Sequence, residues 1–265
     1  NYAEVGSDAL AYRINDTYFF NTPYNGNATT QQPALKNNPN LKPERTRSAE
    51  AGLELDFLNG RLHFDGSYYV TKTMDELIPT NVSTATGYFN YYLNAGAVQN
   101  KGWELSVSGT PVATQNFNWK LTVNWSANRN KVVELFKDGS GNQAKDLLLA
   151  GFQNGESLNA PLNEPYGIIR GTDYTYKNGQ KVVDDNGEYV INESSNNDIG
   201  NTNPKWLMGI NNEFTFFKNW HVSFLLDFRH GGDIFSNDLA YGLDDGLYQL
   251  TTYTNDLGHS VRAPL

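Results

Sequence analysis

The sequence predicts an all-β chain: a segment of a transmembrane antiparallel β-barrel with long extracellular loops and short periplasmic turns. Three observations carry this. Long stretches alternate apolar and polar residues with a period of two. Turns inside the hairpins are short, while connections between hairpins are long. Tryptophans stand at both ends of the apolar faces, as in the aromatic girdles of outer-membrane barrels.

The clearest stretch runs from Ser48 to Thr71. Asn59-Gly60 is a strong hairpin signal, because a two-residue I′ turn needs positive φ at both central positions. Folding about it sets Phe57 against Leu62, Leu55 against Phe64, Leu53 against Gly66, Ala51 against Tyr68 and Ala49 against Val70. The other face sets Asp56 against His63, Glu54 against Asp65, Gly52 against Ser67 and Glu50 against Tyr69. This split of one apolar and one wet face matches the ~9–11 tilted residues a strand needs to cross a bilayer.

Two more hairpins repeat the design. Folding residues 101–130 about Thr114 predicts Trp103 opposite Trp125, Leu105 opposite Val123, Val107 opposite Leu121, Gly109 opposite Trp119 and Pro111 opposite Phe117. In residues 204–235 a two-residue loop would scramble the faces. A three-residue loop, Phe217 to Asn219, sets Phe216 against Trp220, Phe214 against Val222, Ile210 against Leu226 and Met208 against Phe228. A slip of one residue would flip every side chain, so the pattern selects three. Asn212 is then the one polar residue on that face.

The connections read as loops. Residues 1–20 are a strand end and a short aromatic stretch, and residues 21–40 are rich in Asn, Thr, Gln and Pro. Residues 74–98 form a long connection, with strands resuming near Lys101. Residues 129–203 form the longest, with small hairpins at Asn178-Gly179 and Asp185-Asn186-Gly187, and are expected to carry structure of their own above the main sheet. Residues 234–265 return to loop character.

Composition closes several other routes. The chain has 265 residues, no Cys, and 29 acidic against 20 basic residues, which excludes disulfides and argues against nucleic acid as a partner. No apolar run is long enough for a transmembrane helix, which says nothing of barrel strands. His63, His221, His230 and His259 are dispersed, and no nucleophile elbow, phosphate loop or paired-carboxylate site stands out, so an enzyme is not expected and no cofactor is implied.

The motifs then sort by residue chemistry. Asn38-Pro39, Pro43 and Glu44 read as the lead-in to a strand, and Gly231-Gly232-Asp233 as a bend or bulge. Asp184, Asp185 and Asn186, with Glu188, offer hard oxygen ligands for Ca²⁺. Their spacing fails the EF-hand template, so a solvated hairpin turn is the favoured reading. Glu54 opposite Asp65 is a like-charge pair costing up to ~1 kcal/mol, which a cation or a basic side chain in the lumen would relieve. Glu54, Asp65 and His63 are therefore candidates for a lumenal contact. The loop aromatics Tyr88, Phe89, Tyr91, Tyr92, Tyr174, Tyr176, Tyr241 and Tyr248 offer flat faces to a substrate or a partner protein, and suit loop packing equally well.

At this point a resemblance enters. Asn38 to Glu44 (NPNLKPE) followed by the strand Thr46 to Phe57 is similar to the late-barrel signature of TonB-dependent outer-membrane transporters. Ile199 to Trp206 (IGNTNPKW), the acidic turn before it and the run Phe228 to Phe235 resemble the SusC/RagA branch found in Bacteroidetes. The resemblance implies a barrel of about 22 strands around an N-terminal plug, which makes Glu54, Asp65 and His63 candidates for plug contact. It also implies a SusD-like surface lipoprotein as lid, which the loop aromatics are candidates to touch, and TonB-driven uptake of glycans or peptides through the bacterial outer membrane. The sequence holds neither plug, TonB box nor closing strands. Residues 1–265, with about six or seven strands, are therefore expected to be part of such a barrel.

The rival is a soluble all-β binding or adhesin module, whose sandwiched sheets would also show one apolar face. The mass of the polypeptide carrying this sequence in native membranes separates the two. A detergent-extracted species several times 29.7 kDa is expected, and a soluble species of 29.7 kDa would favour the sandwich.

Overall fold

The computed structural model describes residues 1–137, 140–185, 187–217, 219–254, 258 and 260. The chain opens with β1 (Tyr2–Ser7), the hairpin β2 (Phe19–Tyr24) and β3 (Asn27–Gln31), and the short β4 (Leu35–Lys36). The long strands β5 (Glu44–Phe57) and β6 (Leu62–Met74) follow, then β7 (Leu77–Asn81) and β8 (Asn90–Asn94). Next come β9 (Gly96–Ala113) and β10 (Phe117–Leu135). After them lie β11 (Asp146–Gly151), β12 (Ser157–Pro161), β13 (Ile168–Tyr174), β14 (Tyr176–Lys177), β15 (Gln180–Lys181) and β16 (Ile191–Asn201). The chain returns through β17 (Pro204–Phe216) and β18 (Trp220–Gly231) to a helix, α1 (Asn237–Asp244).

Seven of these strands form one antiparallel sheet in the order β1-β5-β6-β9-β10-β17-β18, open at both edges. Its outer hairpins have the registers read from the sequence. β5 pairs β6 with Phe57 opposite Leu62 and Ala49 opposite Val70. β17 pairs β18 with Phe216 opposite Trp220 and Met208 opposite Phe228. Asn59 and Gly60 take the positive φ the turn requires, and Leu58 joins them at 55°.

The middle hairpin corrects the expected register by two residues. Trp125 faces Leu105, Val123 faces Val107 and Leu121 faces Gly109, with an irregularity between Trp119 and Leu121. On β9 two residues, Thr110 and Pro111, span the gap that Lys120 alone spans on β10. Pro111 has no N–H to give the ladder, and bulges are where sheets accept proline. A shift of two keeps the parity of side chains, so the faces survive while the partners change.

Among the described residues no second sheet packs on the apolar face. Leu53 is 57% exposed and Trp220 72%. Aromatic side chains bound this face at both ends. Phe117 stacks on Phe214 and Trp119 on Phe214 near the short turns, while Tyr68 meets Trp103 and Trp206 stacks on His230 at the far end. From Trp206 to Phe216 the strand advances ten residues. At ~3.3 Å per residue and a tilt of ~40° that spans roughly 25 Å, the height of a barrel's apolar band. A soluble sandwich would bury this face.

Several stretches read as loops are ordered instead. Residues 21–40 contain most of the β2–β3 hairpin, turning at Asn25-Gly26 with both φ positive. Residues 74–98 hold β7 and β8, which join β4 in a three-stranded sheet, and β9 begins at Gly96 rather than Lys101. β10 continues to Leu135, and the remaining connection builds a four-stranded sheet, β11-β12-β13-β16. The Asn178-Gly179 turn joins β14 to β15 as expected. Residues 237–244 form α1, whose N-cap Ser236 accepts a hydrogen bond from the Leu239 amide at 3.2 Å.

The buried core lies among these upper elements. Ala95, Val132, Leu135, Leu147 and Ala160 pack together, with Ile78, Val98 and Leu162 against them. Val98 and Val132 belong to the inner face of the main sheet, so the four-stranded sheet rests on that face at its upper end. Gly96 permits the closure: its φ is 151°, and a Cβ there would collide with the Glu134 carbonyl oxygen.

Asn212, the polar exception on the apolar face, is only 8% exposed, and its Oδ1 accepts the Trp119 indole N–H at 3.2 Å. Asn212→Ala leaves that donor unpaired beside lipid. A loss of about 1 kcal/mol is expected, from the measured strength of polar pairs in membranes. Denaturation of the vesicle-inserted protein checks it in a double-mutant cycle with Trp119→Phe. Zero coupling energy would show the bond contributes nothing.

Candidate functional site

The inner face of the large sheet is mostly polar, with Leu207 and Leu225 among its few apolar residues below the loop sheet, and encloses a concavity of about 1040 Å³. Its registers line up one row of side chains across six strands: Glu54, Asp65, Ser106, Asn124, Gly209 and Asp227. Glu50 and Glu104 also line it, so five carboxylates face the same space, and no Lys, Arg or His lines it among the described residues. Short polar pairs hold the strands across this face. Ser106 Oγ donates to Asn124 Oδ1 at 2.8 Å, Asn128 donates to Asn100 at 2.9 Å, and Ser48 meets Thr71 at 3.0 Å.

Of the candidates for plug contact, Glu54 and Asp65 stand opposite each other as the sequence suggested. His63 is hydrogen-bonded to Asp56 Oδ1 at 2.9 Å, with its other ring nitrogen 3.7 Å from Glu54. An imidazolium here would offset part of the repulsion between Glu54 and Asp65. Sequence reasoning missed Asp227, which joins the row from a strand some 160 residues further along the chain. The signal available was parity, since Asp227 alternates with Leu226 and Phe228 on the lipid face.

The loop aromatics fall into three separate groups. Tyr88, Phe89, Tyr91 and Tyr92 lie in and beside β8, Tyr174 and Tyr176 at β13 and β14, and Tyr241 and Tyr248 at α1. Most are already engaged. Lys36 lies over the Tyr88 and Tyr91 rings, Arg13 over Tyr92, and Lys181 3.5 Å from the Tyr174 centroid. The Tyr241 hydroxyl donates to Gln153 at 3.2 Å, and the Tyr248 ring lies close against Gly242. Phe89 at 63% and Tyr176 at 51% keep the most exposed faces.

The acidic turn is knitted as a hairpin: Asp184 Oδ1 accepts the Glu188 amide at 3.0 Å, and Val183 bridges Tyr189. Asp185 stands in that turn, and Asn186 lies outside the described residues. The lead-in to β5 is equally structural. Asn94 binds both the N–H and the C=O of Lys42, and Glu44 Oε1 accepts the Leu77 amide. Gly231 and Gly232 take positive φ at the top of β18, where Asp233 accepts the Asn201 amide at 2.8 Å.

Comparison with known proteins agrees with this geometry. The family model described as "TonB dependent receptor-like, beta-barrel" matches residues 2–258. The chain belongs to this family. It is 30% identical over 260 residues to the TonB-dependent receptor P26 of Formosa agariphila, covering 89% of this chain and 26% of that protein. It is 26% identical to the TonB-dependent receptor SusC of Bacteroides thetaiotaomicron, over 97% of this chain and 26% of the relative. Among solved structures it overlays on the RagAB peptide importer in its "closed-closed" state with a TM-score of 0.70, at 21% identity, over 87% of this chain and 26% of that one. The chain thus spans about a quarter of the length of the relatives it matches.

As part of a TonB-dependent receptor barrel in the bacterial outer membrane, the sheet has its short turns at the periplasm and its long connections outside. The four-stranded sheet then lies at the extracellular mouth. Arg170 ties it together: Nε donates to Asp198 at 2.7 Å, and Nη1 donates to Asp146 and to Asn196. Beneath it Glu76 is pushed up to about 7, first by burial and then by the neighbouring Glu44. Burial, with Glu76 nearby, also raises the Tyr166 phenol.

A carboxyl raised in the folded state contributes stability that is fully present below its unfolded value and is lost as pH climbs through the folded one. The packing around Glu76 is therefore expected to loosen between about pH 5 and pH 8. Hydrogen exchange of the Ala95 amide, which donates to the Glu76 carbonyl, should speed up over that range in the full-length protein, beyond its intrinsic pH dependence. Glu76→Gln should flatten the excess. An unchanged profile in the variant would assign the loosening to another group.

Proposed function

We propose that the protein carrying this chain is a TonB-dependent importer that takes up oligosaccharides or peptides across the outer membrane. The observation that carries this reading is the pairing of a lipid-facing apolar surface with a polar concavity beneath an extracellular sheet. One sheet then meets bilayer and aqueous path at once. The likeness to SusC and to the RagAB peptide importer supports the same class.

Within that reading the edges of β1 and β18 pair with further strands of the same barrel, since unpaired backbone is costly in hydrocarbon. Glu54 and Asp65, with His63 beside them, face an N-terminal plug whose Lys or Arg side chains meet the carboxylate row. TonB acts through that N-terminal part. A SusD-like surface lipoprotein covers the extracellular mouth, where Phe89 and Tyr176 present open aromatic faces to lid or cargo, and Tyr88, Tyr91, Tyr92, Tyr174, Tyr241 and Tyr248 shape the loops around them.

Deleting the gene should abolish uptake of a labelled oligosaccharide or peptide, and collapsing the proton-motive force should do the same in wild-type cells. Uptake that survives both treatments would exclude import. For the plug contact, Glu54→Gln/Asp65→Asn in the full-length protein should raise ion conductance through planar bilayers while leaving membrane insertion intact. Wild-type conductance in the double variant would remove these residues from the plug interface.

A further inference from the structure

The outward face of the large sheet changes character above its upper aromatic row. Directly above Tyr68 and Trp103 the registers place Val70, Lys101 and Arg129 side by side. The next outward row holds Glu4, Arg47, Lys72, Gln99 and Lys131. Five cations from four strands thus stand on the membrane-facing side, just past the girdle. The opposite end of the same face, from Phe57 and Leu62 across to Phe117, Phe216 and Trp220, has no Lys or Arg in its rows.

Internal partners account for only some of this charge. Arg47 lies 3.3 Å from Glu4, the one acid in the two rows, and Arg129 donates to the carbonyls of Asn128 and Lys205. Lys72, Lys101 and Lys131 enter no ion pair among the described residues. The chain as a whole carries a net charge of −9, so a cationic belt on one rim of one face runs against its average.

Aromatic girdles mark the headgroup level, and lysine stems lie along apolar surface with the ammonium raised toward the polar zone. Ammonium groups one and two rows beyond Trp103 therefore sit at the depth of the outer leaflet's charged groups. The belt is continuous with the lipid-facing surface, and its charge complements phosphate.

We propose that Lys72, Lys101 and Lys131 form a seat for the phosphate groups of outer-leaflet glycolipid. The seat spans β6, β9 and β10, so a bisphosphorylated headgroup can bridge neighbouring strands at the rim. Lipid held there clamps the upper ends of the hairpins from outside, opposite the loop sheet packed inside. The proposal rests on the membrane placement and is independent of what the barrel carries.

The test uses the full-length protein, delipidated in detergent and titrated with bisphosphorylated lipid A, with dephosphorylated lipid A and with inorganic phosphate, read by native mass spectrometry. Bisphosphorylated lipid A should bind at least about tenfold more tightly than its dephosphorylated form, from the roughly fivefold that each basic residue near an anionic surface contributes. The K72Q/K101Q/K131Q variant should lose binding by on the order of 100-fold, the matching Lys→Arg variant should keep it, and Lys120→Gln on the inner face should change nothing. Equal retention of the two lipids would overturn the proposal. So would wild-type binding by the triple Gln variant, or displacement of the lipid by equimolar inorganic phosphate. If the triple Gln variant fails to insert, the comparison of the two lipids on the wild-type protein decides.

Discussion

Inside hydrocarbon a backbone amide has no water to turn to, so each N–H and C=O must find a partner on a neighbouring strand. The rest of this structure follows from that constraint. It makes the strands long and their registers strict, and it places departures from regular pairing near strand ends. The Pro111 bulge lies beside a turn, and the bulge between Val132 and Glu134 lies above the aromatic band, where the loop sheet begins. Between them the ladder of β9 and β10 runs unbroken.

How much of this was legible in the sequence depended on whether the deciding physics was local. The β5–β6 and β17–β18 registers were readable because a short turn and a two-faced pattern both had to be satisfied, and one alignment satisfied both. In the β9–β10 hairpin the pattern alone could not choose between registers two residues apart. Proline's missing donor settled it, and that weighs only once strands are paired. The β2–β3 hairpin carried the same Asn-Gly turn signal as the main one, but its strands, FFNTPY and NATTQ, are short and do not alternate, so the pattern that confirms a hairpin was missing. The four-stranded sheet owes its existence to Leu147, Ala160 and Val132 meeting across large separations in sequence, which no local window reveals.

The candidate site divides along the same line. Glu54 and Asp65 were visible as a pair because one turn joins their strands. Their extension to Asp227 depends on four further strand pairings and emerges only from the assembled sheet. The loop tyrosines show the reverse. Composition marked them as flat faces for a ligand, yet Lys36, Arg13 and Lys181 already lie over four of the rings. Cation–π contact is a packing fate as natural for a loop tyrosine as binding.

The alternation of side chains has a consequence for how such a chain changes over time. Adjacent residues such as Asp65 and Gly66, or Asn211 and Asn212, answer to different solvents and share almost no packing partners. Substitutions at one parity alter charge and width along the aqueous path, while the other parity keeps its fit to lipid. The two sets of positions are interleaved in one strand yet separable under selection. A lumen can diversify rapidly on a wall whose outer surface stays the same.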